Sequence, residues 1–204
     1  MFALVESGTI TQFPKGNKGI TIGDNQYPSS IYTLWTEAER NAIGIYTVEI
    51  DNTNRKDEEF YINTNITYAF GSGKVTGSYG TATAKAIADA DAVDENGDKL
   101  KDADGNQIIN YGLKTKYKNK FNAEAAGLLA KTDWYVIKAA DVGSYSVPSN
   151  ITTYRAGVRT KVNAMETSID GCANVEALIT LLTYTTDSEG VTSRPLGEFP
   201  DEVV

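Results

Sequence analysis

Six apolar residues repeat at intervals of three and four near the C-terminal end of this chain: Ile151, Tyr154, Val158, Val162, Met165 and Ile169. That spacing places all of them on one face of a helix. A helix over 151–169 is about 28 Å long at ~1.5 Å per residue, enough to span a small domain. Arg155, Arg159, Lys161, Asn163 and Glu166 are expected on the opposite, polar face. Each large apolar side chain on the stripe is stabilising by roughly 1.5–3 kcal/mol only when covered, so the stripe needs a neighbour. Pro148 disfavours helix before it, and Ser149 or Asn150 is expected to cap the first turn. Gly157 costs about 1 kcal/mol against alanine inside a helix, which points to close approach of another backbone there. Gly171 is expected to end the helix as a C′ glycine.

Two further stripes flank this one. Leu113, Tyr117, Phe121, Ala125, Leu128 and Leu129 form a helical face surrounded by Lys114, Lys116, Lys118 and Lys120. Asp133-Trp134-Tyr135-Val136-Ile137 follows directly, and Trp134 is expected to anchor the corner where that helix turns back. Cys172, Val175, Leu178, Ile179 and Leu182 make a shorter stripe capped by Asn174. Residues 111–186 therefore read as a helical module.

The N-terminal part has a different period. Residues 2–6, 9–13, 19–22, 31–35, 45–50, 59–62, 66–70 and 74–79 carry the β-branched and aromatic content of strands, separated by Gly, Asn and Asp turns. Thr36 and Glu39 form a capping box opening a short helix that ends near Gly44. The spacing after residue 45 is that of an antiparallel meander, so residues 1–80 read as a β-rich module. Thr81–Val93 reads equally as strand or helix. The fold class is α+β, with an N-terminal antiparallel β module, an acidic connector over 81–110 bearing β-turns, the helical module, and an extended acidic tail over 187–204.

Charge and composition narrow the function. The net charge is −8 and the sequence pI about 4.6, which argues against general nucleic-acid binding and against anionic membrane surfaces. Residues 89–104 hold seven acids and two lysines, whereas 114–131 hold five lysines and one glutamate. An internal closure of that asymmetry is the simpler reading. Tyrosine is abundant, with 12 copies against 6 phenylalanines, and suits surfaces that meet partners. No segment approaches the length of a membrane span, and the N-terminus lacks the pattern of a signal peptide. Synthesis in a cytoplasm is expected.

Candidate chemistry is sparse. The absence of histidine removes the usual general base and the commonest zinc ligand. Cys172 is the one cysteine, so no internal disulfide forms, and its place on an apolar stripe makes it a buried hydrophobe rather than a reactive thiol. Asp94–Asp98 and Asp102–Asn106 resemble calcium loops at first sight. Placing Gly105 at the loop glycine, however, puts Leu100 and Tyr111 where oxygen ligands belong. Asn96-Gly97 and Asp104-Gly105 read instead as hairpin turns. No phosphate-loop spacing and no internal repeat at a solenoid period occurs. Carboxylate pairs for glycoside chemistry stay open, since sequence separation does not fix spatial separation. No catalytic residue, metal or cofactor is expected, and the chain is read as a non-enzyme.

Leu128-Leu129-Ala130-Lys131-Thr132-Asp133-Trp134, a proline-bearing loop, and then Thr153-Tyr154-Arg155-Ala156-Gly157-Val158-Arg159 together resemble a pattern of tailed bacteriophages, cyanophage-like ones included. The pattern is similar to the C-terminal part of tail-fibre assembly chaperones and related small tail proteins, in which one helix ends in LLAxTDW and a second opens with YRxxxR. The finish Arg194-Pro195-Leu196-Gly197-Glu198-Phe199-Pro200 and the opening Phe2-Ala3-Leu4-Val5-Glu6-Ser7-Gly8 with Phe13-Pro14 are similar too. The likeness covers both ends and little of 40–110. It implies a virion tail protein, fibre- or baseplate-associated, that docks on other phage tail proteins as a homo- or hetero-oligomer. Neither nucleic acid nor membrane insertion is implied. The alternatives are an assembly chaperone absent from the virion, a carbohydrate-binding module for host attachment and, more distantly, a glycan hydrolase. Trp134, Tyr135, Tyr154, Arg155, Arg159, Leu196 and Phe199 are the interface candidates.

Overall fold

The computed structural model describes residues 1–203. The chain forms two compact units, Met1–Thr83 and Ala84–Val204. The class is α+β, with strands gathered in the first unit and the long helices in the second. The acidic connector from Ala84 onward and the C-terminal tail fall within the second unit.

The first unit runs β1 (Phe2–Glu6), β2 (Thr9–Gln12), β3 (Ile20–Ile22), β4 (Asn25–Tyr27), α1 (Ile31–Leu34), α2 (Glu37–Ala42), β5 (Ile45–Asp51), β6 (Tyr61–Ile62), β7 (Thr67–Gly71) and β8 (Lys74–Ser78). β9 (Thr83–Ala84) lies at the boundary. Its main sheet has the order β2-β1-β5-β8-β7. Ser7-Gly8 and Ser72-Gly73 both take positive φ at two successive positions, which suits the tight hairpins β1–β2 and β7–β8. Strand alternation on β1 then splits the apolar residues between two clusters. Leu4 joins Ile20, Ile31, Tyr32 and Ile45, while Ala3 and Val5 join Val48 and Val75. The Phe13 and Tyr68 rings, from opposite margins of the sheet, meet with centroids 4.7 Å apart.

Two expectations for this unit fail. Residues 45–79 are not a simple meander: β8 folds back from β7 and lies parallel to β5, pairing Val48 with Val75 and Ile50 with Gly77. Strand periodicity is the same beside a parallel or an antiparallel neighbour, so spacing does not distinguish them. The expected strand over 31–35 is one turn of helix. Ile31 and Tyr32 are successive and both buried, which a strand with alternating faces does not provide here. The capping box is present. Thr36 N donates to Glu39 Oε2 at 2.7 Å and Glu39 N to Thr36 Oγ1 at 3.3 Å. The bond from the Thr36 backbone, with a second from its hydroxyl, holds the Glu39 carboxyl below its ordinary value.

The second unit opens on a small three-way β cluster. β10 (Ala90–Asp91) pairs with β11 (Ile109–Asn110), while Val93 bridges Lys99 and Lys101 bridges Gln107. Ala92 N donates to Ile108 O at 2.8 Å, Ile108 N to Leu100 O at 3.0 Å, and Leu100 N to Ala92 O at 2.9 Å. The segments around Ala92, Leu100 and Ile108 thus close on each other with a period of eight residues, below the range of solenoid repeats. Both expected hairpin turns are present, with Gly97 and Gly105 at positive φ. Asp94 Oδ1 accepts from Asn96 N at 2.8 Å and Asp98 N at 2.9 Å. Asp102 Oδ1 accepts from Asp104 N at 3.0 Å and Asn106 N at 2.8 Å. Two of the acids are thereby committed to backbone N–H groups, which holds both carboxyls below the usual range.

Helices follow: α3 (Leu113–Ala130), α4 (Asp133–Asp141), α5 (Ser149–Asp170) and α6 (Val175–Leu182), with a hairpin of β12 (Thr185–Thr186) and β13 (Thr192–Ser193) after them. The α3 start is capped from outside. Leu113 N and Lys114 N donate to Ala86 O and Ile87 O, and Gly112 N donates to Asp89 Oδ1 at 2.8 Å. All six residues of the expected seam on α5 are buried, as are Leu113, Tyr117, Phe121 and Ala125 on α3. The two helices run antiparallel. Lys118 Nζ meets Asp170 Oδ1 at 2.9 Å, and Lys114 Nζ donates to Asp170 O at 2.8 Å. Lys114 and Lys118 of α3 therefore find α5, and Lys131, just past the end of α3, pairs with Glu202 of the tail, rather than with the acidic turns. Asn174 caps α6 as expected, its Oδ1 accepting from Ala177 N at 2.9 Å.

Details at the ends of α5 differ from expectation. Pro148 takes the N-cap position with no side-chain cap, and Ser149 and Asn150 lie within the first turn. Gly171 has φ −71°, right-handed rather than left-handed. A Cβ on Gly157 would meet the Pro200 ring at 3.4 Å, so the close neighbour there is the tail. Cys172 is buried, and burial raises its thiol pKa, opposed by Lys114.

A Cβ on Gly112 would lie 2.4 Å from the Ala88 carbonyl, whereas one on Gly127 meets nothing within 4 Å. Gly112→Ala is expected to destabilise by about 1–3 kcal/mol and Gly127→Ala to stabilise by about 0.5–1 kcal/mol, read from urea midpoints. The depressed Asp94 and Asp102 pKa values set a pH window as well. Their contribution is present above the unfolded value of about 3.9 and is lost as pH falls through the lower folded value. The Asn96 and Asp104 amide resonances should titrate below that range, and a midpoint at or above it would contradict the turn geometry.

Candidate functional site

The two segments that carry the phage-like pattern meet in space, and Arg155 joins them. Its Nη1 donates to Leu129 O at 2.8 Å and to Thr132 Oγ1 at 2.7 Å, and its Nη2 reaches Asp133 Oδ1 at 2.8 Å. One guanidinium thus bonds a carbonyl at the end of α3, the hydroxyl of the connecting turn, and the first carboxylate of α4. The planar fork of arginine suits this task, since a point-charged lysine has no fixed array of donors. Arg155 is only 8% exposed, so it lies with the buried side of α5 and not on the polar face expected for it. Its position follows from its neighbours: one residue after Tyr154 and four after Ile151, it sits at the margin of the stripe.

This clasp, not Trp134, forms the corner after α3. Trp134 is 52% exposed, Val136 42% and Ile137 60%, and α4 has no buried residue. Tyr135 is half-buried and its ring centroid lies 4.8 Å from that of Trp134. In the following loop Tyr145 brings a third ring, 6.5 Å from Trp134. Lys138 places its ammonium 5.0 Å from the Trp134 centroid and 4.3 Å from the Tyr145 centroid. The result is an apolar and aromatic surface with a lysine lying across it.

The other candidates divide. Tyr154 is buried in the helical core, and no partner is present for its hydroxyl among the described residues. Arg159 is exposed and donates to Arg155 O at 3.5 Å. Leu196 is 3% exposed, with its N–H on Leu181 O at 3.1 Å and its carbonyl accepting from Lys161 Nζ at 2.8 Å. It anchors the chain's own tail and is unavailable to a partner. Phe199 is half-buried in the same strap. Arg194 stacks over Phe121 and Tyr184, 5.2 and 4.9 Å from their centroids, and pairs with Glu198 at 2.8 Å. Residues 194–202 are therefore packed along the helices.

Val136, Ile137, Lys138 and Tyr145 are the surface residues that reading the sequence missed. Their signal is present: Trp134, Ile137 and Lys138 fall at helical spacing, but a five-residue apolar run reads equally as a buried corner. Among the described residues no group of three or more metal-ligating side chains converges, and no helix is long and apolar enough to cross a membrane. Comparison with protein-family models, curated proteins and solved structures finds no match to this chain.

Replacing Arg155 with alanine leaves the Thr132 hydroxyl and the Leu129 carbonyl without their donor. A loss of about 2–3 kcal/mol is expected, visible as a lower urea midpoint. Arg155→Lys should recover less than half of it, because one ammonium cannot reproduce the fork. Hydrogen exchange should quicken first in α4, whose attachment to the bundle runs through Asp133.

Proposed function

We propose that this chain is a non-catalytic docking component of a bacteriophage tail, bound to fibre or baseplate subunits in the virion. The observation that supports docking is α4, a nine-residue helix that leaves Trp134, Val136 and Ile137 in solvent beside a well-buried helical pair. Covering such side chains is worth roughly 1.5–3 kcal/mol each, and aromatic anchors dominate many interfaces. The assignment to a phage tail rests on the likeness of segments 128–134 and 153–159 to small tail proteins. A chaperone that leaves after assembly would use the same docking chemistry, so the composition of the particle decides between them.

Particles purified from phage encoding this chain are expected to contain it at a fixed ratio to the fibre or baseplate subunits, measured by quantitative mass spectrometry. The double variant Trp134→Ala/Ile137→Ser should fold with an unchanged thermal midpoint and enter particles at least about tenfold less, since hot-spot losses reach that size. Absence of the wild-type chain from particles whose fibres need it for assembly would replace this reading with the chaperone. Full incorporation of the double variant would remove α4 as the docking surface.

A further inference from the structure

We infer that the surface made by Trp134, Tyr145 and Lys138 is a cation cradle, in which Lys138 stands in for an arginine side chain presented by the partner protein. The inference rests on the docking reading of α4 and names the chemistry of what docks. The geometry carries it. The Lys138 ammonium lies 4.3 Å from one ring centroid and 5.0 Å from another, and among the described residues no carboxylate pairs with it. Asp133, the acid at the start of α4, is engaged by Arg155. The rings therefore hold the lysine through their faces alone.

Such a contact is weak at an exposed site and readily exchanged. A guanidinium fits better than an ammonium here. It is planar, stacks on an aromatic face and is less strongly hydrated, so it loses less on leaving water. Tryptophan, tyrosine and arginine are also the residues that dominate binding hot spots. The chain's net charge of −8 favours approach of a basic partner over an acidic one. Ile137, three residues on from Trp134 and 60% exposed, would cover the apolar stem of the incoming side chain.

The probe is a fluorescein-labelled hexa-arginine peptide, with binding read by anisotropy. The wild-type chain should bind it, and Trp134→Ala/Tyr145→Ala should bind about tenfold more weakly at unchanged net charge. Lys138→Ala should bind more tightly, because the resident cation is gone. Lys116→Ala removes the same charge from an exposed lysine of α3 and serves as the control. The cradle requires Lys138→Ala to exceed that control by about threefold or more. Circular dichroism melts confirm that each variant is folded. Equal gains from the two lysine variants, or ring removal that leaves affinity within about twofold, would overturn the inference, as would binding of a neutral oligosaccharide in place of the peptide. Failure on these terms, with α4 variants still excluded from particles, removes the arginine and leaves the docking surface in place.

Discussion

One guanidinium holds the second unit in register. Arg155 reaches from the middle helix to the end of α3, the turn beyond it and the start of α4, with Nη1 on the carbonyl and the hydroxyl and Nη2 on the carboxylate. A buried cation is costly unless its donors are satisfied, and here the surrounding acceptors belong to two elements that must be joined. The contact therefore specifies where α3 stops and in which direction α4 leaves. The apolar pairing of α3 with α5 supplies most of the burial, but apolar contact is non-directional and would tolerate several exits.

That division of labour explains how α4 can leave its large side chains in solvent. The core needs nothing from it, because the α5 stripe is already covered by α3, and α6 contributes Val175 and Leu178 to the buried set. A helix fixed at one end by polar bonds, and free of core duty, is suited to present Trp134 and Ile137 outward. Contiguous exposed apolar surface is uncommon on isolated soluble domains and marks places where something else binds. The tail makes the opposite use of similar residues. Leu196 and the Pro200 ring are spent on the chain's own helices, with Lys161 on the Leu196 carbonyl and Arg194 on the Gly197 carbonyl pinning the backbone.

Several elements were legible from the residues. The α5 stripe, the Thr36–Glu39 capping box, the Asn174 cap and the Asp-bearing hairpin turns all depend on neighbours within a few positions. The α+β class was legible for the same reason, as a change from strand to helix periodicity along the chain. The candidate site was only half legible. Trp134 and Tyr135 both stand on α4, whereas Tyr154 and Leu196 are buried and Arg155 serves the fold. A large aromatic in an apolar run has the same pattern whether it faces inward or outward, and an arginine at the edge of a stripe looks like part of the polar face.

Local chemistry in the chain thus determined where helices and hairpins begin, which face of α5 is greasy, and which turns can form, because hydrogen bonds and periodicity act over one or two turns. Tertiary structure alone decided that β8 runs beside β5 in parallel, that three eight-residue units close on one another, that Arg155 is a clasp, and that α4 is left uncovered. Those outcomes depend on which distant groups the assembled fold brings into one space. A buried polar group takes whatever acceptor the assembled fold brings within about 3 Å, and that acceptor lies far away along the chain.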